Sequence, residues 1–305
     1  MAIEHAAVQA VRKPWGVTDL RPWSNIDGSG GAVGELWFHR PSQTAPVSAL
    51  LLKLLFTSEP LSIQVHPGDA FARSTGLPNG KTEAWYILSA LPGAQVAVGL
   101  KQRLSPEQLR ASIADGSIAD LVQWRPVAKG DVVFVPAGTI HAIGAGIVLA
   151  EIQQHSDATY RLFDFGRQRE LQADKAVAVS DAGPVPIQPG SQRLSAERTL
   201  LIANPHFVLE RIDLAANTGW AVTTDRETWF LGLGGHAAIG LTAASAGEAI
   251  FMGDDRASIE VGADGFSSLI AYPGPDPIPA LLRDLAGHSI KLFPLLPFAE
   301  IEVRS

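Results

Sequence analysis

Short apolar runs, separated by glycine and proline, are the dominant pattern along this chain of 305 residues. Three of them, Val47–Phe56, Ala94–Leu100 and Val132–Val135, have the length of buried strands, although periodicity alone also allows a short helix at Val47–Phe56. The 29 glycines and 21 prolines supply frequent turns between such runs. This pattern predicts an all-β chain.

One segment departs from the strand pattern. Ser105 is a favourable N-cap, Pro106 suits the first helical position, and Gln108 can complete a capping box. We therefore predict a short helix at about Pro106–Ala114, inserted between strands.

A stretch rich in proline and glycine, Asp181–Gln192, predicts a linker. The apolar runs beyond it predict a second set of strands: Phe207–Leu214, Thr228–Gly232, Ala249–Met252, Ala257–Val261 and Ser267–Tyr272. In the tail, we predict a helix at Ile278–Ala286 followed by an edge segment.

Polar residues alternate with apolar ones just before a Pro-Gly-Asp turn. If Ser62–His66 is a strand, Gln64 and His66 share one face, because residues two apart point to the same side. About fifteen residues of loop then lead to a second strand-like run, Lys81–Leu88, in which Lys81 and Glu83 share a face. An imidazole and a carboxylate on neighbouring strands suit a divalent ion such as zinc.

A further candidate metal ligand comes from the segment Gly130–His141, which has the sequence GDVVFVPAGTIH. The apolar run at its centre predicts a strand, and the Pro-Ala-Gly that follows predicts a turn. His141 then begins the next strand, where it is a third candidate metal ligand.

Composition narrows the classes of function. Acidic residues exceed basic ones by 31 to 24, so electrostatics give no support to a nucleic-acid partner. There is no cysteine, so any metal site must use nitrogen and oxygen ligands. Residues 1–20 contain no apolar signal region, and no apolar run reaches eighteen residues. These features predict a cytoplasmic protein with no membrane partner.

The spacing within Gly130–His141 resembles the second metal motif of the cupin superfamily. Glu83 comes seventeen residues after His66, which is similar to class I mannose-6-phosphate isomerases, as are the local sequences QVHP and GKTEAWYIL. Glu151–Arg167 resembles the family segment in which an acidic residue is followed ten positions later by arginine. The KPWG at residues 13–16 resembles the start of that family. The resemblance covers roughly residues 10–170.

This resemblance implies two cupin-type jelly-roll barrels with a short helical insert in the first, as in a compact bacterial-type form. We expect a catalytic metal-binding barrel at 1–185, a second, metal-free barrel at 193–275 and a tail at 276–305. The implied cofactor is one Zn²⁺ per chain, and its implied ligands are the side chains of Gln64, His66, Glu83 and His141.

The implied reaction interconverts mannose 6-phosphate and fructose 6-phosphate through a cis-enediol, so the partner is a small phosphosugar. The resemblance implies catalytic roles for Arg161, Lys81 and Glu151. Arg161 would stabilise developing negative charge. Lys81, Glu151 and a metal-bound water all remain candidates for the group that removes the proton from C2.

Three residues depart from the expected pattern without removing a ligand: His155 replaces a smaller polar residue, Gly68 interrupts an acidic pair, and Ala145 replaces the asparagine of the general cupin motif. Two other functions are kept as alternatives on other grounds, since a set of two histidines and a glutamate can hold iron as well as zinc. One is a different metal-dependent cupin enzyme, such as a dioxygenase or a sugar epimerase. The other is a sugar-binding regulatory protein without turnover.

Overall fold

The computed structural model describes residues 3–42, 44–185 and 190–294. Most of the regular structure in these ranges is antiparallel β-sheet, as the apolar runs predict. None of the helices in the described ranges combines the length and the apolar character needed to cross a membrane.

The strands before the linker are, in chain order, β1 (Ile3–His5), β2 (Ala7–Val17), β3 (Val33–His39), β4 (Leu50–Thr57), β5 (Ile63–Val65), β6 (Glu83–Ala90), β7 (Gln95–Leu100), β8 (Val122–Pro126), β9 (Val132–Val135), β10 (His141–Ile143), β11 (Ile147–Gln154) and β12 (Tyr160–Phe163). The later strands are β13 (Gln192–Arg193), β14 (Arg198–Ala203), β15 (Phe207–Leu214), β16 (Gly219–Thr224), β17 (Thr228–Ile239), β18 (Thr242–Ser245), β19 (Ala249–Met252), β20 (Asp255–Pro273) and β21 (Leu282–Asp284). The helices are α1 (Asp69–Ser74), α2 (Pro106–Asp115), α3 (Ile118–Leu121) and α4 (Ala173–Val179).

Two sheets of the N-terminal region pack face to face. One has the strand order β2-β3-β4-β11-β6-β9 and the other β12-β5-β10-β7-β8. Their facing sides share an apolar layer that includes Leu55 and Trp85 from the first sheet and Val98 and Ile143 from the second. Alternation along each strand sends these side chains inward.

The helices cover the outer face of the five-stranded sheet. Leu109 and Ile113 of α2 pack in one apolar cluster with Ile63 and Ala97 of the sheet. The predicted capping box is confirmed, because the Ser105 side chain accepts a hydrogen bond from Gln108 N and the Gln108 side chain accepts one from Ser105 N.

The outer face of the six-stranded sheet packs against the C-terminal region. Phe38 and Tyr86 from the first region share a core with Phe207, Trp229 and Phe251 from the second. The first strand, β1, pairs with β19 and so extends the large sheet formed after the linker. These contacts join the two regions through buried apolar surface.

The C-terminal region differs from the prediction in two places. The runs Ala257–Val261 and Ser267–Tyr272 belong to one long strand, β20, which pairs with three neighbours. The helix predicted at Ile278–Ala286 is wrong, because β21 forms there and pairs with β16. Leu281 and Leu282 are buried in a second core, the apolar cluster that the C-terminal strands form among themselves with residues such as Val222 and Phe230. The edge of β16 offers the hydrogen bonds that a short helix would have made internally.

We propose that residues 1–185 and 193–275 are the two domains, with β1 contributed by the first to the large sheet of the second. Part of the predicted linker, residues 186–189, and the end of the tail, residues 295–305, lie outside the described residues.

Candidate active site

Three strand ends bring three of the four predicted metal ligands together. His66 follows β5, Glu83 begins β6 and His141 begins β10. Gln64 and His141 are direct cross-strand partners in the five-stranded sheet. The turn before His141 is closed at Gly138, which has a φ of 85° and donates its N–H to His66 O. Glycine adopts this left-handed conformation without steric cost.

The side chains of His66, Glu83 and His141 form a compact buried cluster. Their candidate ligand atoms all lie within 4.8 Å of one another. His66 Nε2 is 3.3 Å from Glu83 Oε2, and His141 Nε2 is 3.5 Å from Glu83 Oε1. Two imidazole nitrogens and a carboxylate at this separation are a donor set for a divalent metal.

Backbone carbonyls determine which nitrogen of each imidazole faces the cluster. His66 Nδ1 lies 2.8 Å from Ala158 O, and His141 Nδ1 lies 2.8 Å from Thr139 O. A carbonyl oxygen only accepts, so each Nδ1 can donate its proton there while Nε2 offers a lone pair to a metal ion. Metal-binding histidines commonly have this second hydrogen bond.

Two atoms of the cluster make no hydrogen bond in the part of the chain that the structure describes, although Lys81 Nζ lies 3.3 Å from one of them, Glu83 Oε2. His66 Nε2 and Glu83 Oε2 are both buried without a hydrogen bond. When Nδ1 carries the proton, His66 Nε2 and Glu83 Oε2 are two acceptors 3.3 Å apart, an arrangement that a metal ion between them would stabilise. The residues present therefore fit a divalent metal ion.

Gln64 lies beside this cluster. Its Nε2 is 3.3 Å from His141 Nε2, while its Oε1 accepts a hydrogen bond from Ser62 Oγ at 3.0 Å. A half-turn of the amide would present the oxygen to the cluster instead. Its predicted role as a metal ligand stays a prediction.

Burial and charge set the protonation of the cluster. Burial, assisted by the Lys81 ammonium, lowers the pKa of His66 to about 3, and burial also lowers the pKa of His141. Burial alone would raise the pKa of Glu83, but the neighbouring Lys81 and His66 hold that pKa well below its usual value. Neutral imidazoles and an ionised carboxylate are the forms that bind metal.

Lys81 and Glu151 are buried next to this cluster. Lys81 Nζ is 3.3 Å from Glu83 Oε2 and 4.0 Å from Glu151 Oε1. Burial would lower the pKa of Lys81, but these two carboxylates outweigh it and raise the pKa. Burial, with the negative charge of Glu83, raises the pKa of the Glu151 carboxyl against the attraction of the nearby lysines. Lys81 is therefore a cation at neutral pH.

A cavity of about 280 Å³ lies beside the cluster and is bounded mostly by polar side chains. Gln64 and Lys81, which contact His141 and Glu83, line it. Glu151 and Arg161 line it too, so the three predicted catalytic residues meet in one place. Arg161 Nη1 donates to Glu170 O at 2.8 Å, while its Nε is buried with no hydrogen bond to the described residues.

The structure adds polar residues that the sequence did not point out. The most informative is Lys53, whose Nζ is 3.3 Å from Glu151 Oε1 and 4.4 Å from the centre of the Trp37 ring. The sequence could have pointed to Lys53, because it is a lysine inside the apolar run of β4 and a buried charge is costly unless it is paired. The other additions to the cavity wall are Lys13, Glu35, Asp157, Thr159, Arg169 and Gln172.

A larger cavity of about 680 Å³ lies in the C-terminal region, between β16, β21 and the segment that follows them. Arg256 and Arg283 line it together with Leu282 and Leu292. We place the candidate active site at the smaller cavity, because it adjoins the buried metal-ligating cluster and the predicted catalytic groups.

Curated proteins similar to this chain share one name. The mannose-6-phosphate isomerase of Streptococcus mutans serotype c is 38% identical over 191 residues, which are 60% of this chain and 59% of that protein. The mannose-6-phosphate isomerase ManA of Bacillus subtilis is 36% identical over 168 residues, 52% of this chain and 53% of that protein. The chain thus matches between half and three fifths of their length. No protein-family model matches it.

A solved structure agrees in fold over more of the chain. Mannose 6-phosphate isomerase from Bacillus subtilis superposes with a TM-score of 0.77 at 23% identity, covering 89% of this chain and all of that one. This confirms the predicted β-rich fold. Together with the two curated relatives, it confirms the resemblance to mannose-6-phosphate isomerases.

Proposed function

We propose that this chain is a metal-dependent aldose–ketose isomerase that interconverts mannose 6-phosphate and fructose 6-phosphate. The observation that supports it most is the buried His66–Glu83–His141 cluster beside a polar cavity, in which His66 Nε2 and Glu83 Oε2 make no hydrogen bond to the described residues. The cavity volume of about 280 Å³ is near the lower end of the roughly 300–1,000 Å³ typical of small-ligand sites. A cytoplasmic location is part of the proposal.

The proposed cofactor is one Zn²⁺ ion, held by His66, Glu83 and His141 with Gln64 as a fourth ligand. Nitrogen and oxygen ligands of this kind suit zinc, and there is no cysteine to offer a thiolate. When bound, the ion supplies a Lewis acid that polarises a sugar oxygen.

Isomerisation removes a proton from C2 and returns a proton to C1, and negative charge develops on the sugar oxygens between these steps. Among the predicted catalytic residues, Glu151 is the carboxylate that lines the cavity. We assign to it the transfer of the proton from C2 to C1. Lys81 lies within 4.0 Å of two carboxylates, which keep it protonated, so it stabilises the enediolate oxygens as a cation.

We assign to Arg161 the binding of the remaining negative charge, which lies on the enediolate or on the phosphate. Its guanidinium has one N–H group bonded to Glu170 O and a buried Nε without a bond to the described residues. A planar cation with a free N–H suits an anionic oxygen. Lys53 Nζ lies 3.3 Å from Glu151 Oε1 and forms an ion pair with this carboxylate.

The test is an assay of mannose 6-phosphate conversion with enzymatic detection of fructose 6-phosphate. Purified full-length protein is measured as isolated, after treatment with a chelator, and after zinc is added back. We expect the chelator to abolish turnover and zinc to restore it.

Absence of turnover in zinc-loaded protein would contradict the proposal. Oxygen consumption by iron-loaded protein would then favour a dioxygenase, and product from another sugar an epimerase. A rise in melting temperature with a phosphosugar, without product, would favour a regulatory binder.

A further inference from the structure

The cavity of about 680 Å³ in the C-terminal region has no role in the proposed reaction. It is larger than the cavity of the candidate active site, and its volume lies within the roughly 300–1,000 Å³ typical of small-ligand sites. Residues of β16, β20 and β21 line it, together with the segment that follows β21. A cavity of this size can hold a small ligand of its own.

The strand register places two arginines on one face of the sheet at this cavity. β16 lies between β20 and β21, so that Thr223 pairs with Arg256 and Ala221 pairs with Arg283. Ala221 and Thr223 are two residues apart on β16 and share a face, and directly paired residues of antiparallel strands share that face as well. Val222, between them, is buried in the second core. Both arginines therefore project from the side of the sheet away from that core, and both line the cavity.

Neither arginine has a carboxylate partner within the described ranges. The side chain of Arg283 makes no hydrogen bond or ion pair there, and that of Arg256 makes one hydrogen bond, from its Nε to Thr223 Oγ1 at 3.3 Å. By contrast, Arg226 of the same region pairs with Asp225. An unpaired guanidinium keeps its N–H groups available for an anion.

The carboxylate among the residues lining the cavity belongs to Asp284, and it is already bonded within its own segment. Asp284 Oδ2 lies 2.6 Å from His288 Nδ1, and Asp284 Oδ1 accepts a hydrogen bond from Ala286 N at 2.8 Å. With Arg256 and Arg283 unpaired, the wall of the cavity therefore carries an excess of positive charge.

Apolar side chains adjoin this charge, because Ile290 and Leu292 line the same cavity. We propose that the cavity binds a small organic phosphate, with the guanidinium groups of Arg256 and Arg283 on the phosphate and the apolar side chains against the organic part. Arginine suits phosphate because its planar fork of N–H groups matches two oxygen atoms. The site goes beyond the proposed isomerisation, since the described residues that line this cavity do not line the candidate active site.

The test measures the binding of adenosine monophosphate (AMP) to the full-length protein by isothermal titration calorimetry. Adenosine and inorganic phosphate are the two partial probes. We expect AMP to bind more tightly than either, because adenosine lacks the phosphate and inorganic phosphate lacks the apolar contacts.

Arg256→Met and Arg283→Met each remove one guanidinium group. Each should weaken AMP binding about 10–100-fold, the loss that corresponds to one hydrogen bond with a charged group. Both residues are exposed, so the variants should fold like the unmodified protein. The double variant should lose AMP binding and keep full isomerase turnover, because neither residue lines the candidate active site.

Arg226→Met is the matched control. It removes a guanidinium group of the same region that is paired with Asp225, and it should leave the affinity for AMP unchanged. Binding is measured without turnover, so a lack of isomerase activity would contradict the proposed function and leave this result standing.

Two results would overturn the proposal. One is the absence of binding of both AMP and inorganic phosphate up to about 10 mM, and the other is an unchanged affinity for AMP in the double variant. Equal affinities for AMP and inorganic phosphate would overturn the organic part of the proposal and leave a site for free phosphate.

Discussion

Each region of this molecule contains a buried cluster of charged side chains, and the two clusters differ in how completely their polar atoms are hydrogen-bonded. In the C-terminal region, Arg198 makes two hydrogen bonds to the Glu210 carboxylate, at 2.8 and 2.9 Å, and others to the carbonyls of Ile278 and Pro279. Tyr272 donates to the same carboxylate and accepts from Ile278 N. None of the polar side-chain atoms of these three residues is left buried without a partner.

The cluster in the N-terminal region is incomplete by the same measure. His66 Nε2, Glu83 Oε2 and Glu151 Oε1 are buried with no hydrogen bond to the described residues. A saturated cluster stabilises the fold, here by tying the segment at 278–279 to the second core. The N-terminal cluster instead keeps buried atoms that make no hydrogen bond, with lysine ammonium groups 3.3 Å from the two carboxylate oxygens, so a metal ion and a substrate can still bind there. Both clusters are buried and charged. What distinguishes the structural cluster from the candidate functional one is that all of its polar side-chain atoms have hydrogen-bond partners.

The largest effect is expected from removing a metal ligand. His141→Ala should lose bound zinc and turnover together, with zinc affinity down by at least about 100-fold, since the loss of an outer-shell partner alone costs about 10–100-fold. Equilibrium zinc binding and the isomerase assay measure both quantities. His288→Ala, at an exposed histidine paired with Asp284, is the control and should change neither. Full turnover in His141→Ala would show that His141 is not a ligand of the metal centre.

The next effect is on stability. Arg198→Met leaves the Glu210 carboxylate buried without its cation, which costs about 3–5 kcal/mol of unfolding free energy. Urea unfolding measures the loss, and zinc affinity at a temperature where the variant is folded should be unchanged.

The double variant Arg198→Met/Glu210→Leu sharpens this result. It removes both charges and should be more stable than Arg198→Met alone, because apolar replacement of a whole buried pair is often neutral. A single variant as stable as the parent would mean that the saturated cluster contributes nothing to the fold.

A variant in the cavity wall beside the incomplete cluster separates catalysis from metal binding. Arg161→Ala should retain zinc but lower kcat about 100–1,000-fold, the typical result of removing one donor to a developing oxyanion. Arg110→Ala, at an exposed arginine paired with Asp174, is the matched control and should keep full activity. Normal kcat in Arg161→Ala would show that its assigned role is wrong.

The smallest effect is expected from one hydrogen bond of the saturated cluster. Burial, together with Glu210, raises the pKa of Tyr272, so its hydroxyl stays protonated and donates. Tyr272→Phe removes that donor and should cost about 1.5–3 kcal/mol, the range for a hydrogen bond to a charged group. The urea midpoint reports the change, and Arg198→Met should exceed it. The reverse order would show that the ion pair is the minor component.

Local sequence was enough to predict the strands Val132–Val135, Phe207–Leu214 and Ala249–Met252, whose bounds agree with the structure. It was also enough for the capping box of α2. Each of these depends on residues within a few positions of one another, through alternation, turn residues or a cap. The grouping of His66, Glu83 and His141 followed from spaced motifs, because each motif places its ligand at the end or the beginning of a strand.

Tertiary structure alone decided the rest. The pairing of Ile3–His5 with Ala249–Met252, the buried pairing of Lys53 with Glu151 and the bond from His66 to Ala158 O each join distant parts of the chain. The predicted tail helix failed for the same reason, since the open edge of β16 and the second core favoured a strand there. Local pattern selects the element, but the partner that satisfies a buried polar group is set by which surfaces pack together.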